Sequence, residues 1–278
     1  MINYRFKTHG AVRAACSLAC FLALIPLSAD AASSEWVETE GGRIRVSALE
    51  PAADGTIRAA LDIELLPGWK TYWRDPGEAG VPPSFKVDRS DNISAAEIHF
   101  PAPERIEDAY SIWAGYPYPV VLPITLRQEK AGEKSVVEAD VFLGICESIC
   151  IPLQTSFSLT VDPDKPANAF EKRLVKKAFE SLPEEPGDGF EIVDARVRDT
   201  GDGFTLSVAL PDADEGSELF VTGPQGWRFD PPRITGFDAN VATFLVDGDG
   251  DGDSLSGENV RVVVKASGRS METEIALP

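Results

Sequence analysis

The sequence predicts an all-β protein: two immunoglobulin-like antiparallel β-sandwich domains joined by a short linker helix. Three observations predict it. Runs of alternating apolar and polar residues recur along both halves of the chain. Turn signals such as Pro67-Gly68, Asp75-Pro76-Gly77 and Pro82-Pro83 separate them. One stretch alone, near 170–182, changes to a helical period. With 23 Gly and 21 Pro in 278 residues, the composition also favours turns and short strands over long helices.

In chain order, residues 1–31 read as an export signal. Arg5, Lys7 and Arg13 make a basic start, residues 14–27 are uncharged and mostly apolar, and Ala29-Asp30-Ala31 offers small residues for a signal peptidase. That apolar run is short of the ~20 residues needed to cross a bilayer. It also continues past Cys20, which argues against lipid attachment there. Cleavage after Ala31 and a periplasmic product are expected.

A first sandwich domain is expected over 32–162, with strands at 43–48, 56–65, 120–126, 135–143 and 155–161. Asp162-Pro163-Asp164-Lys165-Pro166 stops the last of them. The linker, 163–187, carries the helix. Its apolar face should be Phe170, Leu174, Ala178 and Leu182, ended by Pro183 and Pro186. A second sandwich domain follows over 188–278, with strands near 190–197, 204–210, 218–221, 241–246, 260–266 and 271–277.

Charge and residue inventory exclude several function classes. Lys and Arg total 26 against 45 Asp and Glu, a net charge of −19, which argues against nucleic acid or anionic lipid as partner. Loss of the export segment removes Cys16, Cys20 and His9 and leaves Cys146, Cys150 and His99. With His99 as the solitary histidine, neither a hydrolytic triad nor a multi-histidine metal site is expected, and His99 should lie in or beside a strand without catalytic work. No cofactor and no metal is expected, and no later stretch is apolar enough for stable membrane insertion.

The cysteines carry the chemistry. Two Cys four positions apart in an exported protein should form a disulfide. Four residues of extended strand would separate their α-carbons by about 13 Å, whereas a disulfide needs about 4.4–6.8 Å. The chain must therefore turn, and a hairpin tip at Glu147-Ser148-Ile149 is the simplest solution. Gly144 would permit local bending, and Pro152, lacking an amide, suits an edge position. The more exposed sulfur should attack first.

Three roles fit such a pair. As an inert staple in a non-catalytic periplasmic binding or assembly module, it removes less chain entropy than the ~3 kcal/mol expected for a fifteen-residue loop. As a redox couple, it would be short, accessible and reducible. As a copper(I) site, it would use both thiolates. Glu147 between the cysteines, and Glu107 and Asp108 nearby, would disfavour the thiolate and slow its reaction with alkylating agents.

Other signals are weaker. Residues 247–258, Asp247-Gly248-Asp249-Gly250-Asp251-Gly252-Asp253-Ser254-Leu255-Ser256-Gly257-Glu258, match the spacing of a calcium loop but lie between strands. An acidic hairpin loop is the preferred reading. Trp69, Tyr72 and Trp73 are expected in the core.

Several segments, in order, resemble the amino-terminal domain of the thiol:disulfide interchange protein DsbD, especially its longer ScsB relatives. They are Leu66-Pro67-Gly68-Trp69-Lys70-Thr71-Tyr72-Trp73, Phe100-Pro101-Ala102-Pro103, the stretch 116–126 with Leu122-Pro123-Ile124, and Phe142-Leu143-Gly144-Ile145-Cys146 through Cys150-Ile151-Pro152. The resemblance implies an immunoglobulin-like domain whose Cys146/Cys150 pair relays electrons. A membrane-embedded thiol reductase would reduce it, and it would reduce periplasmic thioredoxin-like proteins. It also implies an aromatic cap over the pair. By position Tyr72 matches a family tyrosine and Glu107-Asp108-Ala109-Tyr110 the cap, so Tyr72, Asp108, Tyr110 and Trp113 become the shielding candidates. The three residues between the cysteines match the longer relatives, not the five of the best-known member. The sequence has neither a membrane-spanning electron carrier nor a C-x-x-C thioredoxin-like domain, so a separate membrane protein should supply the electrons. The second domain, with no chemical constellation of its own, should support or present the first.

Overall fold

The computed structural model describes residue 1 and residues 33–77, 80–107, 112–187, 189–212, 214–250 and 254–278. Residues 2–31 of the expected export segment and two shielding candidates, Asp108 and Tyr110, lie outside the described residues.

The first half opens with strands β1 (Val37–Thr39), β2 (Gly42–Ala48) and β3 (Thr56–Leu65). Short strands follow: β4 (Lys70–Tyr72), β5 (Ser84–Lys86), β6 (Ala95–Ile98), β7 (Glu104–Glu107) and β8 (Ile112–Tyr116). The half closes with β9 (Val120–Arg127), β10 (Ser135–Cys146) and β11 (Cys150–Val161). Helix α1 (Ala169–Glu180) leads to the second half. There β12 (Glu191–Val197), β13 (Gly203–Ala209), β14 (Glu218–Thr222), β15 (Trp227–Phe229) and β16 (Arg233–Asp238) precede the long β17 (Val241–Gly250). Strands β18 (Asn259–Ala266) and β19 (Arg269–Ala276) end the chain.

These strands build an all-β, immunoglobulin-like fold. One sheet of the first half runs β1-β2-β3-β9-β6; the other runs β11-β10-β4-β8-β7, with β5 beside β10. Their inward faces bury Ile44, Leu61, Leu122, Val141, Leu143 and Ile145, the alternation that a two-sheet sandwich imposes. In the second half, β12-β13-β17-β15 with β16 forms one sheet and β14-β18-β19 the other. The strands missing from the sequence reading, β1, β4 to β8, β15 and β16, have three to six residues each. Segments so short give periodicity too few positions to register.

Helix α1 docks on the outer face of the β3 sheet, where Val175 and Ala178 pack with Ala60, Leu49 and Val121. That covering explains why β3 is buried on both faces at its centre. The docked face differs from the expected one. Phe170 is 55% exposed and lies under the Arg45 guanidinium at 4.9 Å, while Glu171, Val175 and Ala178 are buried. The cause is a polar anchor. Asn168 caps the helix by accepting from the amides of Phe170 (2.8 Å) and Glu171 (3.1 Å). Glu171 accepts in return from the Asn168 amide at 2.8 Å and from the Ser33 hydroxyl at 2.9 Å. Apolar periodicity alone cannot register a buried glutamate. Asn168→Ala is expected to cost about 1 kcal/mol of stability, read as a lower midpoint in urea unfolding at unchanged slope.

The 247–258 segment is also corrected. Strand β17 continues to Gly250, pairing Phe229 with Gly248 and Trp227 with Gly250. Strands β17 and β18 belong to different sheets, so the segment is a crossover and not a hairpin. Asp247 is engaged by Arg198 at 2.9 Å and Arg233 at 2.8 Å. Residues 251–253 lie outside the described residues.

Candidate functional site

Strands β10 and β11 form a twelve-pair antiparallel ladder from Ser135↔Val161 to Cys146↔Cys150. Glu147, Ser148 and Ile149 are the exposed tip. Cys146 and Cys150 are joined in a disulfide with α-carbons 4.1 Å apart. The strands thus run right up to the cysteines. Pro152 lies on the edge strand of its sheet, where a missing amide breaks no ladder to a further strand.

Strand alternation sets where the sulfurs face. Leu143 and Ile145 point into the sandwich core, so Gly144 and Cys146 face outward. Cys146 is nonetheless only 1% exposed, because Tyr72, Trp113, Ile106 and Val81 cover it. Cys150, at the edge, is exposed. One sulfur is sheltered and the other is offered to solvent.

Tyr72 spans both. Its hydroxyl lies 2.8 Å from Cys150 Sγ and 3.1 Å from Cys146 Sγ. Disulfide sulfurs carry no hydrogen, so the hydroxyl is the donor. The ring of Trp113 meets that of Tyr72 edge-on at 5.2 Å. The expected role of Gly144 changes here. Its φ is not positive. A Cβ on it would lie 2.9 Å from Tyr72 Cε2 and 3.3 Å from Val81 Cβ. Gly144 therefore leaves room for the tyrosine ring and does not serve to bend the chain. On β8, Gly115 makes room in its own way: a Cβ there would meet the Thr71 carbonyl oxygen and lie 2.6 Å from the Trp113 ring. Thr71 locks the register by donating from its hydroxyl to the Gly144 carbonyl at 2.8 Å.

The electrostatics are mixed where the sequence suggested acidic surroundings. Glu147 and Glu107 are exposed. Lys70 stands directly opposite Cys146 in the ladder, and its Nζ lies 4.5 Å from the centre of the Trp113 ring. Residues opposite each other in a ladder have neighbouring Cβ atoms, so a cation is built in beside the inner cysteine. Asp75, three residues past Tyr72, is held above the usual carboxylate range by burial, offset by the Gly77 amide at 3.4 Å.

Of the shielding candidates, Tyr72 and Trp113 stand against the disulfide. Gly115, Ile106, Val81 and Lys70 escaped sequence reasoning. The signal that could have found the glycine is its spacing: Gly115 stands two residues after Trp113, on the same strand face. Tyr72 and Trp73 are buried, and Trp69 packs on the core edge. His99 is not among the residues packed around the inner cysteine. Its Nε2 is 2.8 Å from Thr125 Oγ1, and burial pushes its basicity below the usual value, opposed by Glu97.

Sandwich, hairpin disulfide and aromatic wall together define a class. Residues 41–162 match the family described as "Thiol:disulfide interchange protein DsbD, N-terminal", and this part of the chain is a DsbD- and ScsB-like amino-terminal domain. Among solved structures, the chain is similar to the N-terminal periplasmic domain of ScsB from Proteus mirabilis. Identity is 25%, the TM-score is 0.73, and the match covers 89% of this chain and 98% of that one. That coverage reaches well past residue 162, so the likeness takes in the second half too. A search of curated proteins gave no match.

Proposed function

We propose that this protein is a periplasmic thiol:disulfide exchange module that relays electrons through Cys146 and Cys150. It stands between a membrane-embedded thiol reductase and thioredoxin-like proteins. The observation that carries the reading is the asymmetry of the pair: Cys150 is exposed, Cys146 is 1% exposed, and the Tyr72 hydroxyl touches both sulfurs.

In the reduced protein, the Cys150 thiolate attacks one sulfur of the partner's disulfide. A Cys150–partner bond forms, and the partner's second sulfur leaves as a thiolate. Cys146, as thiolate, then attacks Cys150 Sγ, closing the intramolecular disulfide and releasing the partner's first sulfur. The partner gains two electrons and the pair loses two. A dithiol of the membrane reductase restores them by the same exchange in reverse, attacking at the exposed Cys150. The Tyr72 hydroxyl donates to whichever sulfur carries the charge. Trp113 and Ile106 keep water from the inner one.

The signal-like pattern of residues 1–31 supports a periplasmic location, as does the likeness to a periplasmic domain. Among the described residues, no helix is long and apolar enough to cross a membrane.

Titration in glutathione and dithiothreitol buffers, with alkylation and mass readout, tests the reading. A reversible midpoint between about −180 and −280 mV is expected. A bond that stays oxidised well below about −300 mV would mark a structural staple and overturn it.

A further inference from the structure

The second half reaches into the first at one place, directly behind the disulfide's aromatic wall. Phe220, on β14, is 3% exposed and belongs with Val263 to the core of the first half, not to its own. Its ring meets Trp73 edge-on at 5.9 Å. Trp73 follows Tyr72 in the chain and is 1% exposed, and its Nε1 has no hydrogen-bond partner among the described residues. Packing therefore holds that side chain.

Charged groups ring the wedge. Arg74, next after Trp73, forms a two-pronged bond to Glu272 on β19, at 2.7 and 3.0 Å. Both side chains are largely shielded, at 14% and 21% exposure. On β7, Arg105 donates to the Leu219 carbonyl at 2.7 Å and stacks on Phe220 at 4.5 Å. Arg105 adjoins Ile106, which covers Cys146. From β18, Lys265 reaches back to Glu104 at 3.0 Å and to the Pro103 carbonyl at 3.0 Å. Each of these contacts ends within three residues of Tyr72 or Ile106, which cover Cys146.

We propose that the second half is a positioning element for the cysteine pair. Phe220 and Glu272 clamp the Trp73-Arg74 segment and so hold the Tyr72 hydroxyl on the sulfurs. The proposal rests on the redox reading above and assigns the second half its part in it. Glu272 and Phe220 touch neither sulfur. They are positioning residues, and their influence must pass through Tyr72.

The test uses the full chain, reduced, with the iodoacetamide alkylation rate of Cys150 followed from pH 6 to 10. Glu272→Gln and Phe220→Leu are expected to slow alkylation near neutral pH by about twofold, the low end of couplings between residues in contact. They should also move the pH profile upward. Glu184→Gln is the control: it breaks the Arg269 pair at the linker, which involves no residue of the first sandwich, and should leave the rate unchanged. In a Tyr72→Phe background, Glu272→Gln should add nothing. Folded Glu272→Gln protein reacting at the wild-type rate overturns the proposal. So does an equal slowing with and without Tyr72, or an equal slowing by Glu184→Gln. Wild-type protein with no reversible midpoint defeats the redox reading separately, while these alkylation comparisons still decide the clamp.

Discussion

Cys146→Ala protein is expected to accumulate as a mixed disulfide with a thioredoxin-like partner, joined through Cys150, and Cys150→Ala protein to give none. The argument is positional. Cys150 is exposed on an edge strand, so its thiolate can reach a sulfur of the partner's disulfide. Cys146 is 1% exposed behind Tyr72, Trp113 and Ile106. For Cys146 to attack in place of Cys150, that wall must first open. A local opening of about 3 kcal/mol lowers the rate by about a hundredfold. Once Cys150 has formed the mixed disulfide, Cys146 is the thiol of this protein placed to carry it forward, so removing Cys146 leaves reversal by the partner's own released thiolate as the way to undo the adduct. Non-reducing gels with mass identification of the linked cysteine check this. Trapping through Cys146 at comparable yield would reverse the assignment of roles. Loss of fold should not confuse the result, because a bridge closing so short a loop adds less than the ~3 kcal/mol of a fifteen-residue loop.

Tyr72→Phe protein should react with iodoacetamide about tenfold more slowly at neutral pH, with its pH profile moved upward. The phenylalanine keeps the ring against Trp113, so shielding persists while the hydroxyl is lost. A hydrogen bond to a charged group contributes about 1.5–3 kcal/mol, and about 1.4 kcal/mol already changes the thiolate fraction tenfold. The sign follows from which form the donor favours: a hydroxyl donating to a thiolate stabilises it, so its removal leaves less thiolate at a given pH. Gly144→Ala should act in the same direction without removing the hydroxyl. Its new Cβ would fall 2.9 Å from the tyrosine ring, and the ring must shift off the sulfurs. A Tyr72→Phe rate equal to wild type would show that the hydroxyl bond contributes nothing in the reduced state.

Part of this site was legible in the primary structure because its causes are local. A cysteine spacing of four with alternation on either side leaves a hairpin as the economical geometry, and the chain adopts it with Cys146 opposite Cys150. Long strands such as β3 and β9 were equally legible, since eight or ten alternating residues outweigh chance. The short β4 and β8 were not. Their three and five residues carry no period, yet they deliver Tyr72, Lys70 and Trp113 to the disulfide. The helix face was misjudged by one position for a related reason. A buried, capping Glu171 is invisible to an apolar count, though the Asn168-x-x-Glu171 spacing was there to be read.

Sequence by itself determined the fold class, the strands long enough to show a period, the turn at 147–149 and the pairing of the two cysteines. Tertiary structure alone decided which sulfur is exposed, since that depends on β11 being an edge and on strands far apart in the chain covering Cys146. It also decided what Gly144 is for, because only the register of β4 against β10 brings the Tyr72 ring over that position. The reach of Phe220 into the first core belongs to the same class. Local propensity and period act over a few residues, whereas burial and contact between residues 72, 146, 220 and 272 exist only after the sheets have packed.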